Sequence, residues 1–266
     1  MRGERSSVSS ADGVRIGLLS AGRGPALLLV HGGMGQIEAW EPIWELLTAR
    51  WTVTAMDRRG RGTSGDGRSY SLADEYADVS AVAIDLAKRH GGPVDAFAHS
   101  YGATCTIGAA SSGAPFRRVA LYEPPGRETV PAEWVERVTV MIADGQVGRA
   151  MVSFLREIIG FSDDEIEALK AVPRTYDVLA TVAKTLTREA TALLAVDLET
   201  QASSLAIPVM LLLGDDSRPW AKEITRSLRS TIGASTLVTL PGCRHDAIDA
   251  APDLIVDALT GFLEAR

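Results

Sequence analysis

Ser100 lies in surroundings that suit a nucleophile. In Val94-Asp95-Ala96-Phe97-Ala98-His99-Ser100-Tyr101-Gly102-Ala103 a short apolar run gives way to a helix-like segment of small residues. That order predicts a sharp strand-to-helix turn with one exposed hydroxyl, and small neighbours where the backbone passes close to itself. The hydroxyl would stand at the positive end of the next helix, where developing negative charge is favoured. A serine hydroxyl needs a base to attack a carbonyl near neutral pH. His245, in Leu240-Pro241-Gly242-Cys243-Arg244-His245-Asp246, follows the last apolar run, and its loop can carry the ring over Ser100.

A carboxylate must hold the imidazole tautomer and stabilise the imidazolium. Leu213-Gly214-Asp215-Asp216-Ser217 supplies two candidates. Asp216 is favoured, because the residue directly after the glycine belongs to the turn and the second can reach the histidine loop. Asp215 is the alternative within that loop. Glu123, at the end of the run Val119–Tyr122, is the rival from another strand. Two backbone donors are needed where the oxyanion develops. The N–H of Tyr101 is one, and Gly33 in His31-Gly32-Gly33-Met34-Gly35 offers the other.

The remaining chemistry-bearing residues read as structural. His31 follows a strand, His90 precedes Gly91-Gly92 at a helix end, and the side chain of His99 must point away from its neighbour Ser100. Asp57-Arg58-Arg59-Gly60-Arg61-Gly62-Thr63-Ser64-Gly65 has arginines and glycines but no Gly-Lys-Ser or Gly-x-Gly-x-x-Gly pattern, so it predicts a turn with solvated or paired charges rather than a nucleotide site. Cys105 falls one turn into the helix after Ser100, and nothing near Cys243 activates a thiolate. No histidine and carboxylate cluster has metal-ligand spacing, so neither metal nor cofactor is expected.

These residues need a scaffold, and the hydrophobic pattern supplies one. Ala26–Val30, Thr52–Met56, Val94–Ala98, Val119–Tyr122, Val209–Leu213 and Thr236–Leu240 read as strands, several apolar on both faces. Helices are expected near 38–49, 72–90, 101–112, 219–231 and 252–265, and Val14–Leu19 as an early antiparallel strand. Alternation of this kind means an α/β fold with a mostly parallel central sheet flanked by helices. From about 126 to 203 the pattern is helical throughout, over Glu133–Ala143, Gln146–Ile159, Asp163–Val172 and Tyr176–Leu198. The expected organisation is an α/β core from 1–125, a helical cap insertion from 126–203, and the rest of the core from 204–266. Trp134, Met141, Phe154, Leu155 and Phe161 are the apolar residues of that insertion that either line a pocket or pack the cap.

The 266 residues carry a net charge of −7, from 27 basic and 34 acidic residues, with no basic block. That argues against nucleic acid as the partner. No apolar run can span a membrane, the first residues lack a secretory pattern, and two cysteines make no disulfide framework. A cytoplasmic protein acting on a small molecule is the expectation.

Taken in order, His31-Gly32-Gly33, Asp57–Gly65, Ala98-His99-Ser100-Tyr101-Gly102, Gly214-Asp215-Asp216 and the Gly242–His245 loop resemble the motifs of the α/β-hydrolase superfamily. Ala98 stands where the family's first elbow glycine is usual. The resemblance implies the serine-nucleophile branch, because the dehalogenase and epoxide-hydrolase branches use an aspartate. It implies hydrolysis of an ester, thioester or lactone of a partly apolar molecule through an acyl-enzyme. Two other functions compete: a lyase, cyclisation or transacylation step in the same pocket, as in natural-product tailoring, and small-molecule binding without catalysis.

Overall fold

The structure, a computed structural model, describes residues 1–171, 179 and 181–265. Its frame is an eight-stranded sheet in the order β1-β2-β4-β3-β5-β6-β7-β8. The strands are β1 (Glu4–Ser9), β2 (Arg15–Ala21), β3 (Ala26–Val30), β4 (Thr52–Met56), β5 (Val94–His99), β6 (Phe116–Tyr122), β7 (Val209–Gly214) and β8 (Ser235–Leu240). β1 and β2 are antiparallel to their neighbours, and every other pairing is parallel. All five residues of β3 and all six of β7 are buried. Such strands must be covered on both faces, which requires helices on each side.

The helices do this with two separate apolar layers. α1 (Glu41–Thr48) and α10 (Pro252–Leu263) pack on one face with Trp40, Trp44 and Trp51. α2 (Leu72–His90) and α3 (Tyr101–Ser111) cover the other with Val79, Val82, Leu86 and Ile107. α2 opens on a capping box between Ser71 and Asp74 and stops at Gly91, whose φ of 76° is left-handed. His90 lies in its last turn, as expected. β1 goes beyond the expected set of strands. Its segment Glu-Arg-Ser-Ser-Val-Ser is almost wholly exposed, and backbone pairing with β2 holds it rather than burial.

Between β6 and β7 the described residues form helices and turns but no strand. α4 (Ala132–Ala143) is followed by α5 (Val147–Ser153), which runs into a π-helical turn at Phe154–Ile159. α6 (Asp163–Lys170) starts at the Ser162–Glu165 capping box. α7 (Leu186–Leu193) and α8 (Leu198–Ser203) follow. Within the long helix expected over Tyr176–Leu198, Leu179, Thr181 and Val182 are helical, and a 3-10 turn at Ala183–Thr185 separates them from α7. Val172 and residues 176–178 and 180 of those expectations lie outside the described residues. The block is not a free-standing unit. Trp134, Val138, Leu186, Leu193 and Ala202 join the same apolar layer as Leu28 and Leu121 of the sheet. α8 packs on α3 and on α9 (Pro219–Thr231), the helix after β7.

Candidate active site

The ends of β5, β6 and β8 bring the chemical groups together. Ser100 follows β5 in the middle of the sheet and caps α3 with φ 52° and ψ −128°. Few residues with a Cβ adopt this strained geometry. The Ser100 N–H donates to the Tyr122 carbonyl at 2.8 Å, which fixes the turn against β6. The turn also needs Gly102, since a Cβ there would lie 2.4 Å from the carbonyl oxygens of Val30 and His31. A Cβ at Gly32 would come within 3.0 Å of the Ser100 Cβ. The Ser100 hydroxyl itself makes no hydrogen bond among the described residues.

His245 is buried, 7% exposed, and its Nδ1 donates to Glu123 Oε2 at 2.6 Å. The expectation that Asp216 faces the histidine is corrected by this contact. Asp216 is exposed, and its backbone N–H donates to the Cys243 carbonyl at 3.0 Å. Asp215, the second choice, accepts the Gly242 N–H at 2.6 Å. Both aspartates therefore brace the histidine loop, while the rival carboxylate reaches the ring. Glu123 can do so because it is fully buried and leaves β6 with a positive φ of 46°. Its Oε1 accepts the Gly214 N–H at 2.9 Å and the Ser217 hydroxyl at 2.5 Å, so each oxygen is held. A carboxylate on Nδ1 leaves the Nε2 lone pair free to take a proton.

Two side chains clamp the histidine loop. His99 Nε2–H donates to the His245 carbonyl at 3.0 Å, and the two rings lie 4.6 Å apart. Burial above all, then the nearby charge of His245, pushes the His99 pKa well below the usual histidine range. The Tyr122 hydroxyl donates to the Arg244 carbonyl and accepts the Ala247 N–H. The sequence indicated only that His99 points away from Ser100; nothing in it marked Tyr122.

The glycine loop after β3 is fixed from behind. The Gly32 carbonyl accepts from His31 Nδ1 at 2.9 Å and from Arg58 Nη1 at 3.2 Å. In a trans peptide the C=O and the following N–H point opposite ways. Holding the Gly32 oxygen against Arg58 therefore turns the Gly33 N–H away from that arginine. Arg61 in turn binds the Gly33 carbonyl. His31 Nε2 accepts the Arg58 N–H at 3.0 Å, and burial keeps the ring neutral, its pKa well below the usual range. The arginines of the Asp57–Gly65 turn are thus paired, as expected, but fully buried rather than solvated. Arg58 bonds Glu75 and Glu189, Arg59 bonds Asp78, and Arg61 bonds Glu189.

Ser100, Tyr101 and Gly33 line one narrow cavity of about 40 Å³. Pro125, Val130, Phe154, Ile158, Leu193 and Trp220 supply most of its apolar wall. Of the apolar residues that the sequence offered for this role, Phe154 lines it. Trp134 packs inside the block with its Nε1–H on Ser153, and Met141 lines a separate surface groove. Trp220, which the sequence reading missed, also sets its ring edge-on to His245 with centroids 5.3 Å apart.

The model of the Alpha/beta hydrolase family matches residues 27–258. The chain belongs to the alpha/beta hydrolase family. It is an enzyme of that family, and curated relatives that align over more than nine-tenths of the chain are hydrolases. A 2-(acetamidomethylene)succinate hydrolase of Mesorhizobium japonicum is 26% identical over 95% of this chain and 92% of that protein. An N-formylmaleamate deformylase of Pseudomonas putida is 33% identical over 47% of this chain and 48% of that protein. The crystal structure of an alpha/beta hydrolase from Sphaerobacter thermophilus superposes with a TM-score of 0.84 at 30% identity, covering 97% of this chain and all of that one.

Other features of this hydrolase bear on its chemistry. Burial raises the Cys105 thiol well above its usual range, and burial with nearby carboxylates raises Cys243. Neither is poised as a thiolate. Among the described residues no group of three histidine, cysteine or carboxylate side chains could hold a metal ion, and no helix is long and apolar enough to cross a membrane.

Proposed function

We propose that this hydrolase cleaves a carboxylic ester or amide of a small, partly apolar molecule through an acyl-enzyme on Ser100. His245 is the base, and Glu123, rather than Asp216 or Asp215, orients it. Nε2 takes the hydroxyl proton as Oγ attacks the carbonyl carbon, then returns it to the leaving group. The N–H groups of Gly33 and Tyr101 bind the oxyanion. Water, deprotonated by the same ring, releases the acid. The observation that carries this reading is the 2.6 Å Glu123–His245 hydrogen bond on strand ends beside the strained Ser100 turn.

Amides join esters here because of the relatives. One acts on an acetamido compound and another removes a formyl group from an N-formyl compound. The helical block over 126–203 acts as the cap. A cavity of about 40 Å³ is far smaller than the several hundred Å³ usual for ligand sites, so it must widen to hold the substrate.

Labelling with a fluorophosphonate probe tests the nucleophile. The probe is expected to modify the folded protein at Ser100 and to leave Ser100→Ala unmodified. Turnover of an activated ester in heavy-oxygen water is expected to place one label in the acid product. An unlabelled product removes hydrolysis, and an unmodified Ser100 removes the acyl-enzyme.

A further inference from the structure

One wall of the cavity is unlike the rest. Glu189, on α7, is the charged side chain among its described lining residues, and it is 2% exposed. Its two oxygens are used unequally. Oε1 accepts from Arg58 Nη2 at 3.0 Å, Arg61 Nη2 at 2.7 Å and the Thr185 hydroxyl at 3.3 Å. Oε2 has no hydrogen-bond partner among the described residues. It faces the glycine loop, where a Cβ built on Gly33 would lie 3.2 Å from it. Such an oxygen is costly to cover with a substrate that offers it no donor. Arg58 also pairs with Glu75, so the cluster of two guanidiniums and two carboxylates has no net charge. Such an acceptor suits a neutral donor better than a cation, and it repels a second carboxylate.

We infer that Glu189 Oε2 is a substrate subsite: it accepts a hydrogen bond from a neutral O–H or N–H on the acyl part of the substrate, next to the scissile carbonyl. The acyl side follows from position. The leaving group must reach His245, beside Trp220, whereas Glu189 lies against Gly33, on the side of the carbonyl oxygen. The substrate class is then a 2-hydroxyacyl or 2-acylamino ester or amide with an otherwise apolar body. This rests on the acyl-enzyme reading above.

The test uses the wild-type protein and p-nitrophenyl esters of 2-hydroxybutyric, 2-methoxybutyric and butyric acid and of succinic acid (the half-ester). Hydroxy and methoxy groups activate the carbonyl alike, so their comparison isolates the donor. The hydroxy ester is expected to exceed the methoxy ester in kcat/KM by about ten- to a hundredfold, each rate divided by its rate with hydroxide alone. The succinate half-ester is expected to be slower than the butyrate. In Glu189→Gln the arginines hold the amide oxygen and turn the NH₂ into the cavity, so the preference should vanish or invert toward the methoxy ester. Should that variant fail to fold, the wild-type ratio decides alone. Equal hydroxy and methoxy rates with Ser100 labelled by a fluorophosphonate overturn the subsite and leave the hydrolase reading intact. No ester turnover together with no label at Ser100 overturns both.

Discussion

At the scale of single residues, the choice of acid is the sharpest question. Glu123 accepts the Nδ1 proton of His245 at 2.6 Å, with its other oxygen held by Gly214 and Ser217. Glu123→Gln keeps the shape but offers a donor or a neutral oxygen to the ring, which disturbs the tautomer. By analogy with other triads it should lower kcat by about 10³- to 10⁴-fold. Asp216→Asn, on an exposed side chain, should stay within about threefold. Steady-state rates on an activated ester check both, and the reverse ranking would reinstate the aspartate. His99 acts on the histidine loop through one hydrogen bond, to the His245 carbonyl. His99→Phe retains the ring contact and removes the donor, so kcat should fall about tenfold with KM unchanged. His99→Gln restores a donor and should recover most of the loss. Equal loss in both variants would show that ring packing, not the hydrogen bond, is what matters.

At the scale of elements, the crossing of α3 over β3 sets the distance between nucleophile and oxyanion loop. Gly102 permits it, since a Cβ there would meet two backbone carbonyl oxygens at 2.4 Å. Gly102→Ala should force α3 outward, cost about 1–3 kcal/mol of stability and slow fluorophosphonate labelling of Ser100. Urea midpoints and labelling rates measure the two effects, and an unchanged midpoint would mean that the crossing yields without strain. The sequence revealed this arrangement only in part. β3 and β4 were legible residue for residue, β3 as a continuous apolar run and β4 as a short run of β-branched and apolar residues. β1 was not, because an exposed edge strand held by backbone pairing leaves no apolar pattern. The carboxylate that meets His245 was misplaced for a related reason. Proximity in a folded sheet depends on strand order, and β6, β7 and β8 being adjacent makes the ends of both β6 and β7 possible sources for one histidine. Side-chain type cannot distinguish them; the positive φ and full burial of Glu123 do. Likewise the sequence leaves the arginines of the Asp57–Gly65 turn either solvated or paired, and only the folded helices α2 and α7 bring them Glu75 and Glu189.

At the scale of the whole molecule, the two faces of the sheet differ in character. One is a plain apolar layer anchored by three tryptophans. The other meets the helical block through buried ion pairs and a floor that holds two neutral imidazoles, His31 and His99, against the glycine loop and the histidine loop. This gives stability a definite pH dependence. Both rings have pKa values well below the 6.5 of an unfolded histidine, mainly through burial, with Arg58 and Arg61 facing His31 and His245 facing His99. Between those depressed values and 6.5 the unfolded chain binds protons that the folded one does not, so stability rises with pH across that window. Their contribution is complete above about pH 6.5 and declines below it by about 1.4 kcal/mol per pH unit for each ring. Urea unfolding at pH 7.5, 6.5 and 5.5 should therefore show a near-constant midpoint over the first interval and a clear drop over the second, before most carboxylates titrate. His31→Asn should flatten the drop by about half, since its amide carries no titrating charge. A midpoint unchanged down to pH 5.5 would mean that the folded molecule admits a proton to these rings, and that the glycine loop is not held by a neutral His31.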